Sequence, residues 1–404
     1  MTDVLYISMA LPYKKVSHAG GKTFYYYIKA LQDDENYHVS LIAKVLPGEQ
    51  CDIENLSRVQ FYPVENQKMT FRHPIRTIKD INSKINPFRN YGNTLRQSIY
   101  DQILNKLKRL KTKPDIIVLE FTEMVLLAPQ IKKIFPDVRL LASEHDVSYL
   151  GYERKVINES NVIKRFIKII KYRIRKSNEL KSLALCDSVM PHNCKDQSLL
   201  IKDGIPEHKI YVLTPYFQRT NCERRPDNKT VLFYGAMGRN ANVDAAIWFI
   251  ENVLPRISNA NVRFVVLGSN PQERLLKYKS EKVIITGFVD NIVPYFESCM
   301  CMVAPLKDGA GIKVKVLEAL RAGVPVLTNE IGIEGINAKD GSEYIHCDDA
   351  NDYVVAIGKM TSGEIDLSTM SVNEKKLMER EYNLDEAVET YKSNMIRIIY
   401  DKSK

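Results

Sequence analysis

Between Asp308 and Ala319 the chain reads DGAGIKVKVLEA, a run that combines close backbone approach, positive charge and one carboxylate. Gly309 and Gly311 flank Ala310 and let the backbone come near a ligand. A strand-like run, Cys301–Pro305, precedes the stretch, and a helix opens within it and ends near Gly323. The free N–H groups at that helix start face the loop of Gly309, Ala310, Gly311 and Ile312 and favour an anion such as a diphosphate. A helix N-terminus disfavours cations, so Lys313 and Lys315 in the first turn point to a bound anion that offsets their repulsion. Glu318 shares a face with Val314, beside strand ends where open α/β sheets bind ligands, and a carboxylate there can accept both hydroxyls of a ribose. The ordinary reading of the same residues is a glycine-rich turn and a surface Glu–Lys pair.

Three further stretches carry weaker signals. Tyr234–Asn242, YGAMGRNAN, follows a strand-like run; Gly235 and Gly238 loosen its backbone and Arg239 offers a planar donor fork suited to phosphate, unless it is a solvated loop arginine. Ser17–Lys22, SHAGGK, places Gly20 and Gly21 between the first strand and a helix predicted over Thr23–Leu31, as a tight turn beside a ligand or an ordinary turn. It matches neither a P-loop nor GxGxxG, which argues against ATP hydrolysis and hydride transfer. Ser143–Asp146, SEHD, ends a buried run. His145 there could hydrogen-bond a sugar hydroxyl or a developing charge, or be structural beside a capping Asp146. No HExxH or DxD triplet occurs, so no dedicated metal site is expected.

These residues need elements to hold them. Apolar, β-rich runs alternate with helical patterns throughout: Val4–Met9, His38–Ala43, Ile116–Phe121, Val138–Ser143 and Ile210–Leu213, then Val231–Tyr234, Val262–Leu267, Val283–Ile285, Cys301–Pro305 and Pro325–Thr328. Such runs predict parallel strands covered on both faces, hence two doubly wound α/β sheets. At 404 residues two domains are expected. The polar stretch Gln218–Lys229 puts the boundary near Pro215, giving domains 1–215 and 216–383 with a helix over 384–404.

Residues 1–215 hold 34 Lys and Arg against 23 Asp and Glu, a net +11, whereas residues 216–404 carry −2. The basic half suits an anionic partner, and Arg154–Lys181 concentrates ten basic residues around Ile163, Phe166, Ile167, Ile170 and Ile174. It is expected to form one basic amphipathic helix that either lies on an anionic membrane surface or packs its stripe on the domain. No nucleic-acid-binding motif accompanies the charge. No apolar run of about 18 residues occurs, so no membrane span is expected. Met1–Leu11 carries Asp3 and lacks a basic start, so it reads as a strand and not a signal peptide. Seven cysteines, without a CxxC pair, read as free thiols of a reducing cytoplasm.

At these residues the sequence resembles retaining glycosyltransferase family 4, of the GT-B fold. The resemblance is strongest over residues 230–330, through YGAMGRNANVDAAIWFIENVLP, VRFVVLGS, VIITGFVDNIVPYF and APLKDGAGIKVKVLEALRAGVPVLTNEIGIEGI. It is weaker before residue 215, where the GG turn, SEHD and LCDSVMPHNCKDQSLL carry it. It implies two Rossmann-like domains facing a central cleft. The second would bind the nucleotide sugar and the first the acceptor, with the last helix crossing back to the first. Carried over, Glu318 is implied to hold the ribose as the second glutamate of E-x7-E, Arg239 to hold the diphosphate, and Phe288 and Val289 to line the base. His145 is implied to face the reacting sugar. The sequence departs at Ala310, where the first glutamate would fall, and at Asn242 and Asp244, where a lysine is usual. It fits a subgroup pattern, G-x-G-x-K/R-x-K-x-L-E, in which Lys313 and Lys315 take over phosphate binding.

The expected activity is a metal-independent, hexosyltransferase-type retaining transfer from a UDP- or GDP-sugar to a hydroxyl of a glycan or lipid-linked acceptor, in surface polysaccharide or glycolipid assembly. His145, Arg239 and Lys313 are the expected catalytic residues. Gly20, Gly21, Gly235, Arg239, Phe288, Val289, Gly309, Ala310, Gly311, Ile312, Lys313, Lys315 and Glu318 are the expected donor-binding set. No cofactor beyond the nucleotide-sugar co-substrate is expected, nor a nucleic-acid partner. The expected place is the cytoplasm, peripheral on the inner face of the membrane. A nucleotide-sugar epimerase, using Glu144 and Asp146 as acid and base, or a non-catalytic nucleotide-sugar-binding module are the rival readings.

Overall fold

The computed structural model describes residues 1–13, 19–46, 56–65, 74–86, 95–309 and 311–400. It divides into two compact units, Met1–Pro215 with Leu384–Lys404, and Tyr216–Asn383.

The first unit runs β1 (Thr2–Ser8), α1 (Ala19–Gln32), β2 (Tyr37–Val45), β3 (Gln60–Glu65), α2 (Pro74–Ile85), α3 (Gln97–Lys108), β4 (Ile116–Glu120), α4 (Thr122–Val125) and α5 (Ala128–Ile134). It continues through β5 (Arg139–Glu144), α6 (Ser148–Ile157), α7 (Val162–Ala184), β6 (Ser188–Pro191) and α8 (Cys194–Lys202). All its strands pair in parallel in the order β3-β2-β1-β4-β5-β6. The strands are apolar on both sides because helices cover both. Leu5, Ile7, Ile117 and Leu119 pack into one core with α3 and α5, while Val4, Tyr6, Ile116 and Val118 face α1 on the other side.

The second unit runs β7 (Thr230–Tyr234), α9 (Asn240–Asn252), β8 (Arg263–Leu267), α10 (Glu273–Leu276), β9 (Val283–Gly287), α11 (Val293–Ser298), β10 (Cys301–Ala304) and α12 (Val314–Ala322). It ends with β11 (Val326–Thr328), β12 (Ile345–His346), α13 (Ala350–Ser362) and α14 (Leu367–Glu381). Its parallel sheet has the order β12-β11-β10-β7-β8-β9. The last helix, α15 (Leu384–Tyr400), belongs to the first unit, where Ala387, Tyr391, Met395 and Ile398 are buried with α1.

In each sheet the chain starts in the middle, winds outward, then returns to wind the other way. The switch falls between β1 and β4 in the first unit and between β7 and β10 in the second. The loops after these four strands therefore diverge at their carboxyl ends and leave a crevice there.

Several sequence expectations need correction. Ile210–Leu213 is not a full strand; it runs beside β6, with Ile210 bridged to Val189 and the Tyr211 and Leu213 N–H groups donating to the Val189 and Pro191 carbonyls. Three strands lie outside the apolar runs: β3, an edge strand with Pro63 and polar ends, β6, which has four residues, and β12, which has two. Helix α1 begins at Ala19, so Gly20 and Gly21 lie in its first turn and not in a turn ahead of it. The basic segment Arg154–Lys181 is two helices, because Asn161 caps α7 by accepting from the Lys164 N–H.

Candidate functional site

In the second unit the loops after β7 and β10 meet through Lys315. Its Nζ donates to Asn242 Oδ1 at 2.8 Å and lies 4.6 Å from the centre of the Phe233 ring. Asn242 in turn donates to the Ala236 carbonyl at 2.9 Å, which ties Lys315 to the loop that carries Arg239. Burial, with the Arg239 and Lys313 charges beside it, pulls the Lys315 amine down to about 7. Arg239, exposed, is the N-terminal boundary of α9, and Lys313, half-buried, is that of α12; neither helix has an acidic residue in its first turn. Two helix N-termini and three basic side chains therefore act on one region, with no carboxylate in either first turn.

Gly309 and Gly311 both adopt positive φ, +126° and +69°, so the loop ahead of α12 takes a path that other residues resist. Ala310 lies outside the described residues. Gly311 is buried, and Gly309 and Ile312 are half-buried. The β7 loop is crowded at Gly235: a Cβ on Gly268 would fall 1.7 Å from the Gly235 carbonyl oxygen. At the end of β9 Phe288 is 72% exposed, and Val289 is half-buried.

Two placements differ from expectation. Glu318 is not a partly exposed carboxylate; it is 6% exposed, accepts from the Tyr234 hydroxyl and takes the Gln218 N–H at 3.4 Å. Lys313 is paired with Glu334, Nζ to Oε2 3.5 Å, and donates to the Gly311 carbonyl. Tyr234 and Glu334 were not read as functional from sequence. Their partners lie far along the chain, and nothing in local spacing marks them.

In the first unit His145 follows β5 and meets Glu120 at the end of β4, Nε2 to Oε2 2.8 Å. Phe121 stacks on the imidazole at 4.3 Å and 18°, and His192 lies 4.5 Å away. Burial pushes the Glu120 carboxyl up to about 8, against a hydrogen bond from Ser143, and holds His192 well below the usual imidazole range. Phe121 adopts φ +72°, an uncommon conformation for a bulky residue. Gly20 lies against both rings: a Cβ there would stand 2.7 Å from the Phe121 ring and 3.1 Å from His145 Nδ1. Gly20 is therefore needed for space, and His145 is held on three sides. Glu144 turns inward, buried, and accepts from Thr122 Oγ1 at 2.6 Å, so it is not an accessible acid.

Among the described residues no three His, Cys, Asp or Glu side chains are grouped as a cation would require. Among them also, no helix is long and apolar enough to cross a membrane.

Two doubly wound parallel α/β units of this kind constitute the GT-B fold of glycosyltransferases. The chain is similar over nearly its whole length to sucrose-phosphate synthase from Thermosynechococcus elongatus, with TM-score 0.73 and 14% identity, covering 98% of this chain and 99% of that one. It is similar to Anabaena HepE in complex with UDP and glucose at TM-score 0.65 and 10% identity, covering 98% and 100%. For a variant of S. aureus TarM in complex with fondaparinux, alpha-GlcNAc-glycerol and UDP, the TM-score is 0.66 at 10% identity, with the same coverage. Within the second unit, residues 228–362 match the family described as glycosyl transferases group 1, which supports the glycosyltransferase class. Over 224 residues the chain is 23% identical to an uncharacterized 44.6 kDa protein in the cps region of Klebsiella pneumoniae. That alignment covers 51% of this chain and 55% of the relative, so the chain spans about half the length of the curated relative it matches.

Proposed function

We propose that the protein is a retaining glycosyltransferase that moves a hexose from a UDP- or GDP-sugar to a hydroxyl of a glycan or lipid-linked acceptor, in surface polysaccharide or glycolipid assembly. The observation that carries this reading is the position of Lys315, bound to the β7 loop while rooted in α12, with Arg239 and Lys313 adding their fields. A diphosphate is the ligand that such a concentration of positive charge and helix N-termini suits. The UDP complexes of the two structural relatives and the cps-region relative favour the same substrate class.

As the glycosidic bond to the diphosphate breaks, negative charge grows on the leaving oxygens. Arg239, Lys315 and the N–H groups of α9 and α12 are placed to stabilise it, which is electrostatic catalysis by preorganised groups. Stabilisation by fixed cations requires no metal ion. Lys313 contributes through its field and the shape of the glycine loop, since its own charge is paired with Glu334. Glu318, held by Tyr234, is the carboxylate that takes the ribose hydroxyls. Phe288 and Val289 offer apolar surface to the base. His145, fixed by Glu120, hydrogen-bonds a sugar hydroxyl. No cofactor takes part besides the nucleotide-sugar co-substrate.

We also assign the protein to the cytoplasmic face of an anionic membrane, docked through the segment Arg154–Lys181. The apolar stripe at the start of α7 is uncovered: Ile163 is 74% and Phe166 63% exposed, with Ile167 and Ile170 beside them. Lys164, Arg165, Lys171 and Arg173 flank it, also exposed. Apolar side chains ringed by basic ones suit the interface of an anionic bilayer.

The function is tested with a panel of nucleotide sugars, following release of free nucleotide and the fate of the sugar, with and without EDTA. One donor should yield nucleotide, at an undiminished rate in EDTA, and Glu318→Ala should weaken binding of that donor about tenfold or more. Conversion of the sugar without nucleotide release, or activity that needs Mn²⁺, would contradict the proposal.

A further inference from the structure

We propose that the outward face of α2 is a second membrane contact, committed to the surface of an anionic bilayer; it extends the docking of α7 and rests on that reading.

The polarity of α2 is reversed. Asp80 is buried, its Oδ1 accepting from the Ser98 N–H and its Oδ2 from the Ser98 hydroxyl, each at 2.8 Å. Ser83, one turn on, is buried as well, donates to the Asp80 carbonyl at 2.7 Å and accepts from the Gln97 N–H at 3.3 Å. At about 100° per residue these two side chains share one face, which lies on α3. The opposite face holds Ile75, Ile78 and Ile81, three residues apart. Ile75 is 73% and Ile78 66% exposed, and Ile81 is exposed too. A helix that meets water puts its polar stripe outward and its apolar stripe inward. In α2 the polar stripe is spent on hydrogen bonds to α3, and the isoleucines face out.

The charge on this helix selects the occupant. Asp80 is the sole acid of residues 74–86 and faces inward, whereas Lys79 is exposed beside the isoleucines. Isoleucine with lysine, and no aromatic anchor, is unlike the core of a protein interface, where aromatic residues are enriched and lysine is depleted. It suits a bilayer interface, into which the isoleucines insert while lysine reaches the headgroups. Helices α2 and α7 also belong to the same side of the sheet. Helix α3, on which α2 lies, and the inner end of α7 bury their apolar residues in the same core, on one face of the sheet. The two exposed stripes thus belong to one helix layer of one unit. Two contacts on a rigid body reinforce each other, because the second binds at the high effective concentration set by the first.

The test is co-sedimentation of the full chain with vesicles of pure phosphatidylcholine or of phosphatidylcholine and phosphatidylglycerol in equal parts. The variants are Ile75→Ser with Ile78→Ser and Ile81→Ser on α2, and Lys164, Arg165, Lys168 and Lys171→Gln on α7. Loss of three inserted side chains should weaken binding to anionic vesicles about tenfold or more, with an unchanged thermal midpoint because the isoleucines are exposed. The chain has a single tryptophan, Trp248, so an Ile78→Trp reporter in a Trp248→Phe background gives a direct reading: its fluorescence should be quenched by brominated acyl chains in anionic vesicles. If only the α7 variant loses affinity and the reporter is not quenched, α2 is not a membrane contact, while docking by α7 stands. If neither variant differs from the native chain, both readings fall. A native dimer that the α2 variant converts to monomer would make this face an interface between copies and overturn the proposal.

Discussion

Lys315 makes the diphosphate reading testable by titration. Its amine is pulled down to about 7 by burial and by the Arg239 and Lys313 charges. Near pH 8 much of it is therefore neutral in the free protein. A bound diphosphate would place negative charge beside it, favour the ammonium form and raise the pKa. The sign follows: binding above about pH 7 takes up a proton, so affinity falls as pH rises from 7 toward the pKa of the complex. Calorimetry of UDP binding at pH 8, in buffers of different ionisation enthalpy, should reveal net proton uptake approaching one. Lys315→Met should abolish the uptake and weaken binding, whereas Lys315→Arg should keep part of the affinity without the uptake. Binding with no proton uptake in the native protein would show that the anion lies elsewhere.

At the scale of elements, the strand ends need particular backbones more than particular side chains. Gly268 follows β8 at φ +152°, and a Cβ there would stand 1.7 Å from the Gly235 carbonyl oxygen, so alanine forces one of two strand-end loops to move. Gly363, at φ +80° after α13, has open space where its Cβ would go. Gly268→Ala should cost about 3 kcal/mol or more and weaken nucleotide binding, whereas Gly363→Ala should cost only about 1 kcal/mol, the backbone penalty alone. Thermal melts of the two variants, with and without UDP, check this; equal losses would deny the close approach. The contrast also explains what was legible in the sequence. Central strands such as β4 and β7 announce themselves as apolar runs, because helices cover both their faces. The glycine loops and the basic residues near them stand out because close approach and anion binding demand those residue types. Strand β3 carries little signal because an edge strand tolerates Pro63 and polar ends. The split of Arg154–Lys181 turned on one capping side chain, Asn161. Glu120, Tyr234 and Glu334 were invisible for a different reason. Tyr234 and Glu318 are 84 residues apart, and such a pair exists only once the sheet has brought their strands and helices together.

For the molecule as a whole, the chain order and the structural units do not coincide, and this has a consequence for truncation. The first unit is closed by α15, whose residues follow the entire second unit in sequence. Tyr391 is buried, its hydroxyl 2.7 Å from that of Tyr6 on the central strand β1 and its ring 4.9 Å from Tyr27. Leu384, Met395 and Ile398 are buried with it, and the Tyr26 hydroxyl donates to the Leu384 carbonyl at 2.8 Å. Fully burying a large apolar side chain contributes about 1.5–3 kcal/mol, so these four side chains together supply roughly 6–12 kcal/mol. A domain's whole stability is about 5–15 kcal/mol. Removal of residues 384–404 should therefore unfold or strongly loosen the first unit. The second unit, with its own sheet and helices α9–α14 contained in Tyr216–Asn383, should keep its fold. Hydrogen exchange read by mass spectrometry on the truncated chain resolves the two: β1, β2 and β4 should lose protection while β7, β8 and β10 retain it. If the truncated protein bound UDP through that intact unit, the binding groups around Lys315 would be shown to suffice by themselves. Should β1 and β4 stay protected without α15, the final helix would be an accessory to the first unit's core and not a part of it.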